Sequence, residues 1–205
     1  MLGAMTAIQA SGERLATAGD VTLCYETFGS PADPALLLIM GMGFQLVHWP
    51  DAFCAELASA GFHVVRFDNR DAGRSTHVET PYTLDDMADD AIALMDALDI
   101  PAAHVVGASL GGMIAQTMAV RHPARVRSLA SLMSTTGARG VGRTSPRVLL
   151  AAVRRRRDPV ERRVQLFELI GSTGFEQDVA WLRAVSRVAA ERDPEARAGR
   201  RRQHR

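Results

Sequence analysis

Two kinds of apolar pattern alternate along the first 138 residues. Short unbroken runs take turns with longer stretches in which apolar positions recur every three or four residues. Val21–Thr27 is rich in β-formers and follows the turn pair Gly19-Asp20, so residues around 13–27 are expected to form an antiparallel hairpin. Leu36–Met40 is wholly apolar and runs into glycine, which predicts a strand buried on both faces. Phe62–Phe67, His104–Val106 and Val126–Met133 read the same way.

The helical stretches fall between these runs. Asp51–Ala60 starts beside Pro50 and stops at Gly61. In Leu84–Leu98 the residues Leu84, Met87, Ala88, Ala91, Met95 and Leu98 share one face, and Thr83 with Asp86 resembles a capping box. Gly111–Arg121 is the third helix, ended before Pro123. Such alternation predicts an α/β fold, a mostly parallel sheet with flanking helices and an N-terminal antiparallel hairpin. After Thr136 the texture changes. Gly137–Pro146 reads as a loop, and Arg147–Arg157, Val160–Ile170 and Phe175–Ala190 as arginine-rich amphipathic helices with no strand between them. The expected organisation is an α/β core over 1–138, a helical region over 139–192 and a polar, frayed tail over 193–205.

Charge supports the boundary near Arg139. Residues 1–138 hold 7 arginines against 15 carboxylates, whereas residues 139–205 hold 17 against 8. The 24 basic residues are all arginine, which excludes a Walker phosphate loop, Schiff-base chemistry and a lysine general base. Cys24 and Cys54 fit no metal or redox spacing and are expected to behave as small apolar residues. Neither a cofactor nor a metal is expected. With no apolar run of spanning length and no leader-like N-terminus, a cytoplasmic protein with no membrane partner is expected. Arg154–Arg157 lies in an amphipathic stretch close to Glu161, so no nucleic-acid partner is expected either.

The chemistry centres on Gly107-Ala108-Ser109-Leu110-Gly111, a G-x-S-x-G between an expected strand and an expected helix. A serine at the tip of so sharp a bend has its hydroxyl exposed, and Gly107 and Gly111 flank it because side chains there would collide. The following helix turns its free N–H groups and positive dipole end toward any oxyanion formed at the bend. Gly41-Met42-Gly43-Phe44, after an early strand, is a second glycine-rich turn. The backbone amides of Met42 and Leu110 are therefore the candidate oxyanion hole. A dinucleotide fingerprint would need glycine where Leu46 stands. In Asp68-Asn69-Arg70-Asp71-Ala72-Gly73-Arg74-Ser75, Asp68 and Arg70 are read as an ion pair and Gly73 as the turn residue.

These segments, with His122-Pro123, resemble the α/β-hydrolase fold superfamily over roughly residues 13–135. Met40-Gly41, Trp49-Pro50 and the Asp68–Ser75 turn look most like the aclacinomycin methylesterase group of carboxylic ester hydrolases. The resemblance implies a helical cap over the site, a small-molecule ester as substrate, and Ser109 as a nucleophile that forms an acyl-enzyme. It also implies an acid and then a histidine after Ser109, which the sequence does not supply. Ser134-Thr135-Thr136 carries no carboxylate, and among His48, His63, His77, His104, His122 and His204 none occupies the family's position. His48, on the loop after Gly43, is the histidine that could face the pocket mouth. The expectation is a hydrolase lacking its last strands and helix, with little or no activity; the alternative is a non-catalytic fragment or interaction protein.

Overall fold

A computed structural model describes residues 8–138, 141, 158–172 and 174–193. The expected helix Arg147–Arg157 and all of the expected tail beyond Asp193 lie outside the described residues. Among the described residues six strands form one sheet: β1 (Arg14–Ala18), β2 (Val21–Phe28), β3 (Ala35–Ile39), β4 (His63–Phe67), β5 (Ala103–Ala108) and β6 (Val126–Leu132). Their order is β1-β2-β4-β3-β5-β6. The expected hairpin is present, with Ala18 opposite Val21, and β2 runs antiparallel to β4. β4, β3, β5 and β6 are mutually parallel.

Alternation along the strands builds two cores. Leu37, Ile39, Val65 and Phe67 face the layer of α2 (Leu84–Ala97) and α3 (Leu110–Arg121). Leu36, Leu38 and Val64 face α1 (Asp51–Ser59) through Cys54 and Ala58. α2 starts where its sequence says: Thr83 and Asp86 each bond the other's backbone N–H. β6 is the parallel edge expected of a sheet without its last strands, and the burial that its apolar run suggests is not realised. Rather than being buried on both faces it is the edge of the sheet, with Leu132 41% and Met133 80% exposed. Among the described residues no strand pairs with its outer side.

The helical region supplies α4 (Pro159–Ile170) and α5 (Val179–Arg192), packed against one another. α5 begins at Val179 rather than Phe175 because Asp178 caps it, accepting from Trp181 N–H at 2.8 Å. It buries Leu182, Val185, Ser186 and Ala189. Asp193, the first residue of the expected frayed tail, is itself buried and accepts from the Gly73 N–H at 3.1 Å. Among the described residues no helix is long and apolar enough to cross a membrane.

Candidate functional site

Ser109 sits where β5 hands over to α3, with φ 54° and ψ −118°. A non-glycine residue in that region stores on the order of 1–3 kcal/mol and persists only where its surroundings enforce it. Here they do. The Ser109 N–H donates to the Leu132 carbonyl at 2.9 Å, and its own carbonyl accepts from Gly112 N–H (2.9 Å) and Ser134 Oγ (2.7 Å). The residue is exposed at the tip of the bend. The glycines leave no alternative: a Cβ on Gly107 would overlap the Gly111 carbonyl. One on Gly111 would overlap the Ile39 carbonyl at the end of β3, a collision across strands rather than across the bend. A Cβ on Gly112 would meet Ser131 Oγ and the Ser134 side chain, so α3 rests directly on the end of β6.

The second glycine-rich segment lies against this bend. Phe44 N–H donates to the Gly41 carbonyl at 3.1 Å, closing a four-residue turn in which Gly43 has φ 69°. That φ makes glycine the natural residue at the third position of such a turn. A Cβ built on Gly41 would stand 3.1 Å from Ser109 Cβ and 3.6 Å from its Oγ. The turn carrying Met42 and the bend carrying Leu110 are thus brought together. Among the hydrogen bonds of the described residues, neither the Met42 nor the Leu110 amide is given to a backbone acceptor. Asn69 Nδ2 fixes the approach to the turn, donating to the Met40 carbonyl at 2.9 Å.

His48 is not at the pocket mouth. It is buried, with Nδ1 3.1 Å from the Gln45 carbonyl and Nε2 3.0 Å from Arg163 Nη1 on α4. Arginine has no acceptor, so Nε2 accepts from Arg163, while Nδ1 faces both the Gln45 N–H (3.0 Å) and the Gln45 carbonyl. Burial first, and the Arg163 charge second, push its pKa down to about 3. It is a neutral, fully engaged imidazole. Of the other described histidines, His122 bonds Asp89 (2.7 Å), His104 meets Ser128 Oγ (2.8 Å) and His77 lies 3.5 Å from Asp193. His63 is buried, which lowers its pKa. Among the described residues no imidazole bonds the Ser109 hydroxyl, and His204 lies outside them.

The expected Asp68–Arg70 ion pair is replaced by two separate ones. Asp68, 0% exposed, accepts from Leu46 N–H (2.7 Å), Arg74 N–H (3.0 Å) and Arg192 Nη2 (2.9 Å). Burial raises its pKa, and the guanidinium and the two amides oppose that rise. Arg192 also reaches Glu13 (2.7 Å) and Gln45 Oε1 (2.5 Å), which ties the end of α5 to the core. Arg70 pairs with the buried Asp90 at 2.6 Å. Gly73 serves the turn with φ 57°, where a Cβ would overlap the Asp68 carboxylate. Arg163, Arg192 and Ser134 are the residues that sequence reasoning missed. Their partners lie far along the chain, and no spacing marks them. Among the described residues no three metal-ligating side chains cluster, and both cysteines are free and buried. Burial pushes the Cys24 and Cys54 thiols up to about 12 and about 11, which leaves neither as a ready nucleophile.

A strained serine between a buried parallel strand and a helix, with a glycine turn packed on it, defines a class of fold. The alpha/beta hydrolase fold family matches residues 34–159, and the chain belongs to it. Rhodomycin D methylesterase DauP of Streptomyces sp. (strain C5) is 45% identical over 123 residues, 58% of this chain and 41% of that protein. 3-Oxoadipate enol-lactonase 2 of Acinetobacter baylyi is 37% identical over 109 residues, 53% of this chain and 40% of that protein. A hydrolase from Pseudomonas aeruginosa PA01 superposes with a TM-score of 0.65 and 25% identity, over 93% of this chain and 71% of that one. The chain thus spans about two fifths of the length of the curated relatives it matches.

Proposed function

We propose that this chain is a serine hydrolase acting on carboxylic esters, methyl esters among them, through an acyl-enzyme on Ser109. The observation that carries the reading is the backbone of Ser109: a positive φ of 54° at a strand-to-helix bend, with Gly41 packed on its side chain. Strain of this kind is kept where exposing a side chain has a use. The Ser109 hydroxyl attacks the ester carbonyl carbon and loses its proton to a base. The carbonyl oxygen becomes an oxyanion between the amides of Met42 and Leu110 at the positive end of α3. Collapse breaks the C–O bond to the alcohol, which leaves with a proton. Water then attacks the acyl-enzyme and regenerates the serine.

The methyl-ester preference is supported by the likeness to the rhodomycin D methylesterases, whose names state that activity. No base for Ser109 is present among the described residues, so the reading includes little turnover by this chain alone. Loss of triad members from a serine hydrolase leaves roughly 10³–10⁴-fold over water, contributed by the oxyanion hole and binding. The test is labelling by a fluorophosphonate probe and hydrolysis of p-nitrophenyl acetate and of an aromatic methyl ester, with Ser109→Ala as control. Slow labelling that Ser109→Ala abolishes supports the reading. Labelling that survives the substitution, or none at high probe concentration, refutes it.

A further inference from the structure

The oxyanion turn is held by the cap as well as by the core. Arg163 extends from α4 to three features of the Gly41–His48 segment. Its Nη2 donates to the Gly43 carbonyl (3.4 Å), its Nη1 donates to His48 Nε2 (3.0 Å), and its guanidinium lies 5.3 Å from the centre of the Phe44 ring. Phe167, one helical turn further along α4, meets the same ring edge to face at 5.5 Å, and His48 meets it at 4.9 Å. Phe44, half-buried, is therefore in contact with Arg163, Phe167 and His48. Its N–H closes the turn whose second residue, Met42, holds the candidate oxyanion amide. The Gly43 carbonyl belongs to the peptide that carries the turn-closing Phe44 N–H, two peptides on from that amide. Holding it fixes the plane of the turn, and releasing it frees a glycine that can adopt several backbone conformations.

We propose that Arg163 is a positioning residue for the Gly41–Phe44 turn, so that the seating of α4 governs the reactivity of Ser109. The inference rests on the reading of Ser109 as the nucleophile. A cap helix in place aligns the turn, and a displaced one loosens the oxyanion donor before any substrate contact is lost. Arg163 does not touch the reacting atoms in this arrangement. Its effect passes through the Gly43 carbonyl and Phe44.

Two measurements on the whole chain test this, amide hydrogen exchange over residues 41–48 and the kinetics of fluorophosphonate labelling. Arg163→Met keeps an apolar stem beside Phe44 and removes every donor; Arg163→Lys keeps one. In Arg163→Met, exchange over 41–48 is expected to accelerate at least about ten-fold, while exchange over α2 stays unchanged. The maximal labelling rate is expected to fall between about 10- and 100-fold with the half-saturating probe concentration almost unchanged, as for a misplaced transition-state donor. Arg163→Lys should lie between. Arg121→Met, which removes exposed ion pairs to Asp85 and Asp89, should leave both readouts at the parent value. Unchanged exchange over 41–48 in Arg163→Met overturns the inference. Should that variant unfold, Arg163→Lys carries the same comparison with the same two outcomes. If the parent chain resists the probe altogether, the proposed function fails and the link to Ser109 reactivity with it, while the exchange measurement still decides whether Arg163 positions the turn.

Discussion

An imidazole buried beside a guanidinium makes the folded chain sensitive to acid in a predictable direction. His48 titrates near 6.5 when unfolded and near 3 when folded. Between those values the unfolded chain binds a proton that the folded chain refuses, so stability rises with pH across the window and is lost as pH falls. The limiting slope is about 1.4 kcal/mol per pH unit. His48→Gln keeps an acceptor for Arg163 without a titrating ring, so its urea midpoint should fall less than the parent's between pH 6.5 and pH 4.5. Parallel midpoints would show that His48 does not set the slope. A second prediction concerns Gly111. An added methyl group there must displace the Ile39 carbonyl at the end of β3, so Gly111→Ala should cost about 2–4 kcal/mol in urea titrations. An unchanged midpoint would mean that the bend can relax. Gly107, Ser109 and Gly111 were legible in the sequence because they fall in one five-residue motif, although the group that Gly111 meets, the Ile39 carbonyl, lies on another strand. The partner of Asp68 was not, since Arg192 lies 124 residues away.

Among the elements, α5 shows how a helix of ordinary amphipathic pattern becomes fixed in place. Its apolar face packs through Leu182, Val185 and Ala189, and the decisive contact is at its last residue. Arg192, with its side chain 4% exposed, neutralises Asp68, which is fully buried. Arg192→Met would leave that carboxylate in the interior with two amide donors and no cation. Breaking one side of such a pair costs about 3–5 kcal/mol. Adding Asp68→Asn to Arg192→Met should recover part of the loss, because the stranded charge is then gone. If the double variant is no more stable than the single one, stranded charge is not the cause. The strands and α1–α3 could be read in advance because each carries its own period, stop residue or cap. Two features escaped. The start of α5 is set by the cap that Asp178 provides, three residues after Phe175, and the exposure of β6 depends on what lies beside it, which an apolar run does not encode.

At the scale of the molecule, the proposed acyl-transfer site around Ser109 has no imidazole bonded to its hydroxyl among the described residues. The hydroxyl, the glycine turn and the positive end of α3 all lie within residues 34–159, the stretch that matches the alpha/beta hydrolase fold family. A positioned general base contributes typically about 10²–10⁴-fold. If that contribution is what the chain lacks, a base supplied from solution should restore a part of it. The part is small, because a diffusing base forgoes the effective molarity of a tethered one. Fluorophosphonate labelling of Ser109 is therefore expected to accelerate with added imidazole at constant ionic strength, and to follow the concentration of the neutral form as pH rises. N-methylimidazole should act similarly, imidazolium at low pH should not, and Ser109→Ala should show no labelling at any concentration. A rate independent of imidazole would mean either that Ser109 already has a base or that its hydroxyl cannot reach the electrophile. Solvent deuterium separates the two, since labelling through an existing base slows in heavy water and an unreactive serine stays unlabelled in both.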